Sequence, residues 1–392
     1  MIELLNIYLE QSDEKVYLKS DCLINGDKEV LWFATSVENE KYISTSNADA
    51  FFLFIFIYAV FENLEFKANV PISKRLKFGL LEVLLPAFQE MGFNAESKNF
   101  SFERIDETVY PEAVAVGTAM SFGVDSFYTF IQGTKSNIKL DYLTLFNAGA
   151  FGQFGGEKTE ELFENMKGRV SEFAIKQNMG FVWADTNLNE IFKMPFVQTH
   201  TFRNFACVLI FQKLFKDYIY ASSQTLHRFG LNKSATGYYE LLISKSVKVN
   251  SLEFHISGLI EDRIQKTKVI SNNKLTYSYL NVCMITPDNK EVKLESKIKN
   301  CSKCVKCVRT MVTLDILGKL DNYSDVFDLS LYKKNLNKNL GELLYKRYRG
   351  SDVFSQEIFV EAKKQKYRIS YSVYYYAFMR ALQPILRKFK NA

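Results

Sequence analysis

Four cysteines in the second half of the sequence have the spacing of a metal site. Cys301, Cys304 and Cys307 stand three residues apart, and Cys283 lies eighteen positions upstream of Cys301. Four thiolates complete a tetrahedral Zn²⁺ site with no open coordination position, so we predict a structural Zn²⁺ site here. An iron–sulfur cluster is the competing use of this spacing. Grouped cysteines in an enzyme-sized chain without a recognisable export signal favour a reduced, cytoplasmic setting over a disulfide framework.

A short polar loop, Ser121–Ser126 with the sequence SFGVDS, offers a second chemistry, the binding of phosphate. It follows an apolar strand-like run and precedes an apolar helical stretch. Such a loop directs backbone N–H groups at an anion, and the helix that follows adds a partial positive charge. Asp125 would repel a bare phosphate, so its presence predicts either bound Mg²⁺ or a structural hydrogen bond. The Walker pattern is absent, and an ordinary N-capped turn is the alternative interpretation.

The elements around this loop predict an α/β fold. From Ala113 onward, strand-like runs such as AVAVGTAM and MGFVWADT alternate with helical stretches such as Glu157–Gln177. Repeated β-α units favour a parallel, Rossmann-like sheet covered by helices, with ligands at the carboxyl ends of its strands. The longest apolar run, Ala50–Phe61, is shorter than the roughly 20 residues that span a bilayer. We therefore predict a buried helix there and no membrane partner.

The loop and the cysteines together resemble the PP-loop ATP pyrophosphatases, whose loop reads S-G-G-x-D-S. Over roughly Ala113–Gly318, the order of the loop and then the stretch NCSKCVKCVRTM is similar to that of 7-cyano-7-deazaguanine synthase and its relatives. The resemblance implies a nucleotide α-hydrolase fold, a structural Zn²⁺ site, and transfer of AMP from ATP to a substrate oxygen with release of pyrophosphate. The first glycine of the family's loop is Phe122 here, and a positive φ at that residue would strain the backbone.

Polar residues after later strands complete the expected site. Asp185 and Asn187 follow the third strand, where they would contact ribose or substrate; a simple Asx turn is the alternative. His200 begins the next helix, and Arg203-Asn204 resembles a pair in the synthase family. The predicted catalytic residues are Asp125, Ser126 and His200. The predicted nucleotide-binding residues are Ser121, Phe122, Gly123, Val124, Asp125, Ser126, Asp185, Asn187, Arg203 and Asn204. Arg263 and Lys266 are further candidates for contacts to pyrophosphate, although solvated charges are the commoner explanation.

Composition and charge predict three domains. Residues 1–110 are expected to form a separate α+β domain, residues 111–320 the PP-loop domain with the metal site, and residues 321–392 a basic helical region. The net charge is +6, and Lys333–Ala392 alone holds fourteen Lys and Arg against four Asp and Glu. This tail predicts an anionic partner, either a protein or a nucleic-acid acceptor, with a solvated charged face as the alternative. A homodimer is compatible with these features.

These features predict an ATP-dependent enzyme that forms AMP and pyrophosphate while activating a carboxylate or amide for ligation or amidation. The expected cofactors are ATP, Mg²⁺ and Zn²⁺. The resemblance extends to proteins of antiviral defence and surface-polysaccharide pathways. One alternative is an enzyme of RNA thiolation or nucleotide modification, and another is a catalytically degenerate nucleotide-binding scaffold or sensor.

Overall fold

The strand-like segments form one large sheet in the computed structural model, which describes residues 1–135, 139–283, 300–350 and 352–390. Short apolar runs with β-branched and aromatic residues account for these strands. The strands are β1 (Ile2–Leu4), β2 (Tyr8–Ser12), β3 (Lys15–Ile24), β4 (Asp27–Ser36), β5 (Phe66–Ala68), β6 (Ile72–Ser73), β7 (Phe100–Phe102), β8 (Ile105–Asp106), β9 (Ala115–Ala119), β10 (Tyr142–Asn147), β11 (Gly180–Thr186), β12 (Phe215–Ala221) and β13 (Glu253–Ser257).

The strand order places a Rossmann-like block at one end of the sheet. The order is β13-β12-β9-β10-β11-β4-β3-β1-β5-β7, with β2 paired to β3 and a small separate pair, β6-β8. Neighbouring strands within β9–β13 pair in parallel, and numbered along the chain their spatial order is 5-4-1-2-3. This is the doubly wound order, in which ligands bind where the strand order reverses, here between β9 and β12. The α/β class with a largely parallel sheet is therefore confirmed.

The predicted separate domain at residues 1–110 is wrong, because its strands continue the same sheet. β4 pairs antiparallel with β11 through Asp185↔Ala34 and Thr186↔Phe33. The chain instead divides into a first unit, containing residues 1–121 and 129–259, and a second unit, containing residues 122–128, 260–283 and the described residues from 300 onward. The predicted boundary at residue 320 is also absent, since the cysteines and the basic tail share the second unit.

Helices complete both units. They are α1 (Asp49–Glu62), α2 (Lys74–Phe78), α3 (Leu85–Glu90), α4 (Val124–Lys135), α5 (Glu157–Lys176), α6 (Leu188–Phe192), α7 (Phe196–Leu209), α8 (Glu240–Ser246), α9 (Arg263–Ile270), α10 (Leu275–Tyr279), α11 (Val305–Ile316), α12 (Leu329–Tyr348), α13 (Val353–Lys364) and α14 (Tyr371–Lys390). A π-helical segment, Gly79–Leu84, joins α2 to α3 ahead of Pro86.

The core of the first unit lies around α1, which packs against α7. The run Phe51–Ile57 is fully buried, which confirms the predicted buried helix. No helix among the described residues is long and apolar enough to cross a membrane. The second unit is helical and holds α9–α14 together with the first residues of α4.

Candidate functional site

The four cysteines predicted to bind metal lie together in the second unit. The sulfur atoms of Cys283, Cys301, Cys304 and Cys307 are all within 4.8 Å of one another. The Sγ–Sγ distance is 3.7 Å from Cys301 to Cys307, 3.4 Å from Cys304 to Cys307, and 3.9 Å from Cys304 to Cys283. Sulfurs at the corners of a tetrahedron with Zn–S bonds of about 2.3 Å are roughly 3.8 Å apart. The cluster can therefore bind a tetrahedral metal such as zinc.

Asn300 fixes the two segments that carry these cysteines. Its buried side-chain oxygen accepts from the backbone N–H groups of Val282 and Cys283, at 2.8 and 3.1 Å. Its amide nitrogen donates to the carbonyls of Leu280 and Val326, both at 2.9 Å. A single asparagine thus satisfies four backbone groups around the cluster, which holds the thiols in place before any metal binds.

Local backbone geometry and the start of α11 favour thiolates. Cys304 is the N-cap of α11, and Cys307 lies in its first turn, where the partial positive charge of a helix stabilises anions. The backbone N–H of Cys304 also donates to the Cys301 sulfur, at 3.3 Å. Hydrogen bonding with the thiols of Cys283 and Cys307 lowers the pKa of Cys304. Hydrogen bonding with Cys283 and Cys304 raises the pKa of Cys307. Metal binding to such a cluster releases thiol protons, because the ligands are thiolates.

The loop predicted to bind phosphate keeps the backbone geometry of a glycine at Phe122. Phe122 has φ +59°, in the left-handed region. Its ring is fully buried, stacks on Tyr279 with centroids 5.5 Å apart, and contacts Phe127 at 5.8 Å. Its carbonyl accepts from the Asn281 N–H at 2.8 Å. The backbone strain, about 1–2 kcal/mol, is thus offset by burial of the aromatic ring in the second unit.

Two cations from α9 meet the carboxylate of this loop. Asp125 Oδ2 lies 2.8 Å from Arg263 Nη2, and Asp125 Oδ1 lies 3.4 Å from Lys266 Nζ. The Lys266 side chain is only 3% exposed. Asp125 therefore has side-chain partners within the protein. Two cations lie within ion-pair distance of this one carboxylate at the start of α4.

The remaining loop residues have the expected positions. Ser126 is buried in the first turn of α4, and its hydroxyl donates to the Gly123 carbonyl at 3.1 Å. Val124, also buried, is the first residue of α4. Ser121 directly follows Met120, whose N–H donates to the Thr144 carbonyl of β10 at 2.9 Å. The loop therefore leads directly from β9, at the reversal point of the sheet, into a helix N-terminus.

A narrow cleft in the second unit adjoins Arg263. It is lined by residues of α9, α11 and α13, among them Arg263, Arg309 and Phe354, and has a volume of about 20 Å³. The guanidinium carbons of Arg263 and Arg309 lie 5.8 and 4.9 Å from the Phe354 ring centre, and Arg309 pairs with Asp352 at 2.7 Å. A volume of this size holds one or two waters, so a nucleotide does not fit in this cleft.

In the first unit, two polar side chains meet at the carboxyl ends of β10 and β11. Asn147 pairs with Asp185 across the strands, and its amide donates to the Asp185 carboxylate at 2.8 Å. Burial raises the pKa of Asp185 to about 6, against the stabilising hydrogen bonds from Thr186 and Asn147. The Asn147 Oδ1 atom is buried and has no hydrogen-bond partner among the described residues. Asp185 therefore stands where the fold predicts ligand contacts.

Two other predicted nucleotide-binding residues are committed to the protein scaffold. Asn187 accepts from the Trp32 N–H at 2.9 Å and donates to the Val30 carbonyl at 2.8 Å, so its amide ties β4 to the end of β11. Arg203 is fully buried, and its guanidinium donates to Asn189 Oδ1 at 2.7 Å and to the Met194 carbonyl. Burial also lowers the Arg203 pKa to about 10. Both side chains thus contact the protein scaffold, and their contact with a nucleotide stays a prediction.

His200 and Asn204 lie on α7, as predicted. His200 Nδ1 is 3.1 Å from the Tyr220 hydroxyl and 3.3 Å from the Thr201 hydroxyl. The Asn204 amide donates to the His200 carbonyl at 2.6 Å, within the same helix. His200 thus keeps polar neighbours on α7 and β12, whereas Asn204 bonds to its own helix.

Sequence reasoning missed Asn147, Asn300 and the pairing of Arg309 with Asp352. Asn147 is the last residue of β10, and a polar residue at the carboxyl end of a strand in a parallel sheet was a detectable signal. Asn300 precedes the first cysteine of the cluster, but its contacts lie up to 26 residues away along the chain. Arg309 was visible only as a charge near the cysteines, and its pairing with Asp352 depends on the helix packing.

Comparison with known proteins identifies no relative. No protein-family model, no curated protein and no solved structure matches this chain.

Proposed function

We propose that this protein is an ATP-dependent enzyme of the PP-loop type, which cleaves ATP between the α and β phosphates to activate a carboxylate. The observation that carries the proposal is the loop Ser121–Ser126, with a left-handed residue at its second position and Asp125 paired to Arg263 and Lys266. It follows the first strand of a parallel block in doubly wound order. Loop, helix N-terminus and cations are the elements that bind a polyphosphate.

The proposed reaction has two steps. A substrate carboxylate oxygen attacks the α-phosphorus of ATP, the bond from that phosphorus to the bridging oxygen breaks, and pyrophosphate leaves. Ammonia or an amine then attacks the acyl-adenylate carbonyl and releases AMP. Arg263 and Lys266 stabilise the negative charge that develops on the pyrophosphate, and Mg²⁺ supplies further charge neutralisation when it is bound. The fully thiolate metal site contributes structure rather than chemistry, because it has no open position.

Asp125 has a defined part in this scheme. In the absence of nucleotide its carboxylate holds Arg263 and Lys266 at the loop, so the two cations are in place before a phosphate arrives. Pre-positioned charges lose no orientation entropy at the moment of reaction, which is the main source of electrostatic catalysis. Substituting Arg263 or Lys266 is therefore expected to lower the rate of turnover while the protein remains folded.

The experiment measures AMP and pyrophosphate formed from ATP with Mg²⁺ and a panel of carboxylates that includes a deazaguanine carboxylate. We expect AMP and pyrophosphate in equal amounts from the wild type and at least a 100-fold lower rate from Lys266→Met. The matched control is Lys268→Gln, an exposed lysine on the same helix, which should retain the wild-type rate. ADP and phosphate as products would exclude this reaction class.

A second candidate function, a nucleotide-binding scaffold without turnover, is favoured by Phe122. Its bulk replaces the first glycine of the related loop, and its ring packs against Tyr279. ATP binding by calorimetry without AMP under any condition would support the scaffold and not the enzyme.

A further inference from the structure

The C-terminal helix α14 carries an aromatic stripe that the fold leaves uncovered. Tyr371, Tyr374, Tyr375 and Phe378 are between 50% and 94% exposed. Their spacing of three, four and seven residues puts the four rings on one face of the helix. From Tyr371 to Phe378 the stripe runs for about 10 Å along the helix axis.

The opposite face of α14 is packed, so the orientation of the stripe is fixed. Val373 and Ala377 are buried. Gly341 of α12 allows the close approach, because a Cβ at that glycine would lie 2.5 Å from the Tyr376 Cβ and 3.0 Å from the Val373 carbonyl oxygen. Arg380 Nε donates to Glu342 of α12 at 2.8 Å. The aromatic rings therefore face solvent, because the opposite face of α14 packs against α12.

The segment that immediately precedes the stripe in the chain is cationic. Lys363, Lys364, Lys366 and Arg368, at the end of α13 and in the turn before α14, are all exposed. Lys366 has φ +51°, a left-handed residue of the kind that terminates a helix and redirects the chain. Residues 362–392 contain eight Lys and Arg and no Asp or Glu. Lys364 lies 4.0 Å from Glu361 of α13, whereas Lys366 and Arg368 belong to a segment that has no acidic residue.

From this arrangement we infer that the C-terminal region binds single-stranded nucleic acid, with the α14 rings stacking on bases and the neighbouring cations contacting phosphates. Every base has a π-face, so a row of aromatic rings beside a cationic track binds single strands with little sequence preference. In a duplex the base faces are stacked on one another, so they are not available to the aromatic rings of α14. A helix that inserts into lipid exposes mainly Leu, Ile, Phe and Trp, whereas three of these four rings carry a tyrosine hydroxyl.

The experiment is fluorescence anisotropy of a labelled 15-nucleotide single strand, as DNA and as RNA, titrated with the full chain at several salt concentrations. We expect binding with a negative salt dependence. The double variant Tyr374→Ala/Tyr375→Ala should weaken binding at least tenfold, from the loss of two stacking contacts. Lys363→Gln/Lys366→Gln should reduce the log–log salt slope by about 0.7 for each lost phosphate contact.

Matched controls come from the first unit. Phe78 is an exposed aromatic residue, and Lys28 and Lys139 are exposed lysines; Phe78→Ala and Lys28→Gln/Lys139→Gln should bind as the wild type does. All of these residues are at the surface, and thermal melts followed by circular dichroism verify that each variant is folded.

Three results would overturn the inference. The first is the absence of binding to either strand at 50 mM salt. The second is binding that charge alone explains. Either a duplex of the same length would bind equally well, or binding would respond to the lysine changes but not to the tyrosine changes. The third is a different occupant of the stripe, found in the absence of binding to nucleic acid. Either the wild type is a dimer and Tyr374→Ala/Tyr375→Ala dissociates it, or the wild type floats with anionic vesicles and this variant does not. None of these outcomes bears on AMP formation, so this inference stands or falls separately from the proposed function.

Discussion

Replacing Phe122 by alanine and by glycine tests both the buried ring and the left-handed backbone at the candidate phosphate loop. Removing a buried phenylalanine ring costs about 3–5 kcal/mol, and the Phe122 ring is fully buried against Tyr279 and Phe127. We therefore expect Phe122→Ala to lower the free energy of unfolding by an amount in that range.

Glycine should behave unusually at this position. At an ordinary position, glycine is about 0.5–1 kcal/mol less favourable than alanine, because it is more flexible in the unfolded chain. At φ +59°, however, glycine avoids about 1–2 kcal/mol of left-handed strain. Phe122→Gly should therefore be more stable than Phe122→Ala by about 0.5–1 kcal/mol and remain about 2–4 kcal/mol less stable than the wild type.

The measurement is urea unfolding followed by circular dichroism, with midpoints and slopes compared among the variants. Phe130 is the matched control, because it is a buried ring within α4. There, the glycine variant should be less stable than the alanine variant by about 1 kcal/mol. The same order at Phe122 would refute the left-handed geometry, and two variants as stable as the wild type would refute the burial of the ring.

Three further outcomes are expected. Metal analysis of the purified chain should find about one zinc per chain, lost in Cys304→Ser but retained in Cys22→Ser, since Cys22 is buried outside the cluster; equal zinc in both variants would contradict the site. Burial raises the pKa of Asp49 to about 7, so the folded state favours the protonated carboxyl. The contribution of this proton to stability is complete below about pH 4 and is lost as the pH rises through 7. In urea titrations, the free energy of unfolding of Asp49→Asn should rise relative to that of the wild type over this pH range, by at most about 1.4 kcal/mol per pH unit. A difference between the two proteins that does not change with pH would argue against the raised pKa. Gly149→Ala should markedly lower the thermal midpoint, because its Cβ would lie 2.4 Å from Arg203 Nη1 at φ +102°; an unchanged midpoint would argue against this contact.

Much of the architecture follows from local patterns in the sequence. The apolar run at residues 50–61 identifies α1, and the alternation of strand-like and helical segments after Ala113 identifies the parallel block, because burial imposes a period on each element. Cysteine spacing predicted the four-cysteine cluster for a similar reason: three of its four members lie within seven residues, so the chain needs little tertiary information to bring them together.

Contacts between distant residues escaped the same reasoning. Strands near the N-terminus appeared to form their own domain, yet β4 completes the sheet beside β11, and nothing local specifies which strand edge it pairs with. Asn187 was predicted as a ligand because it follows a strand, and Arg203 because it resembles a residue of the synthase family. In the structure Arg203 is buried and Asn187 bonds to the backbone of β4, contacts that local sequence patterns do not specify.

By itself, the sequence determined the period of each element, the grouping of the cysteines and the placement of a small polar loop after a buried strand, since all of these depend on residues close together in the chain. Only the tertiary structure decided that Asp125 meets Arg263 and Lys266, whose positions are about 140 residues away. It also decided that Phe122 adopts a glycine-like backbone conformation. The reason is that the energy of a charge pair or a buried ring depends on what surrounds it in space, and neighbours in space are not neighbours in sequence.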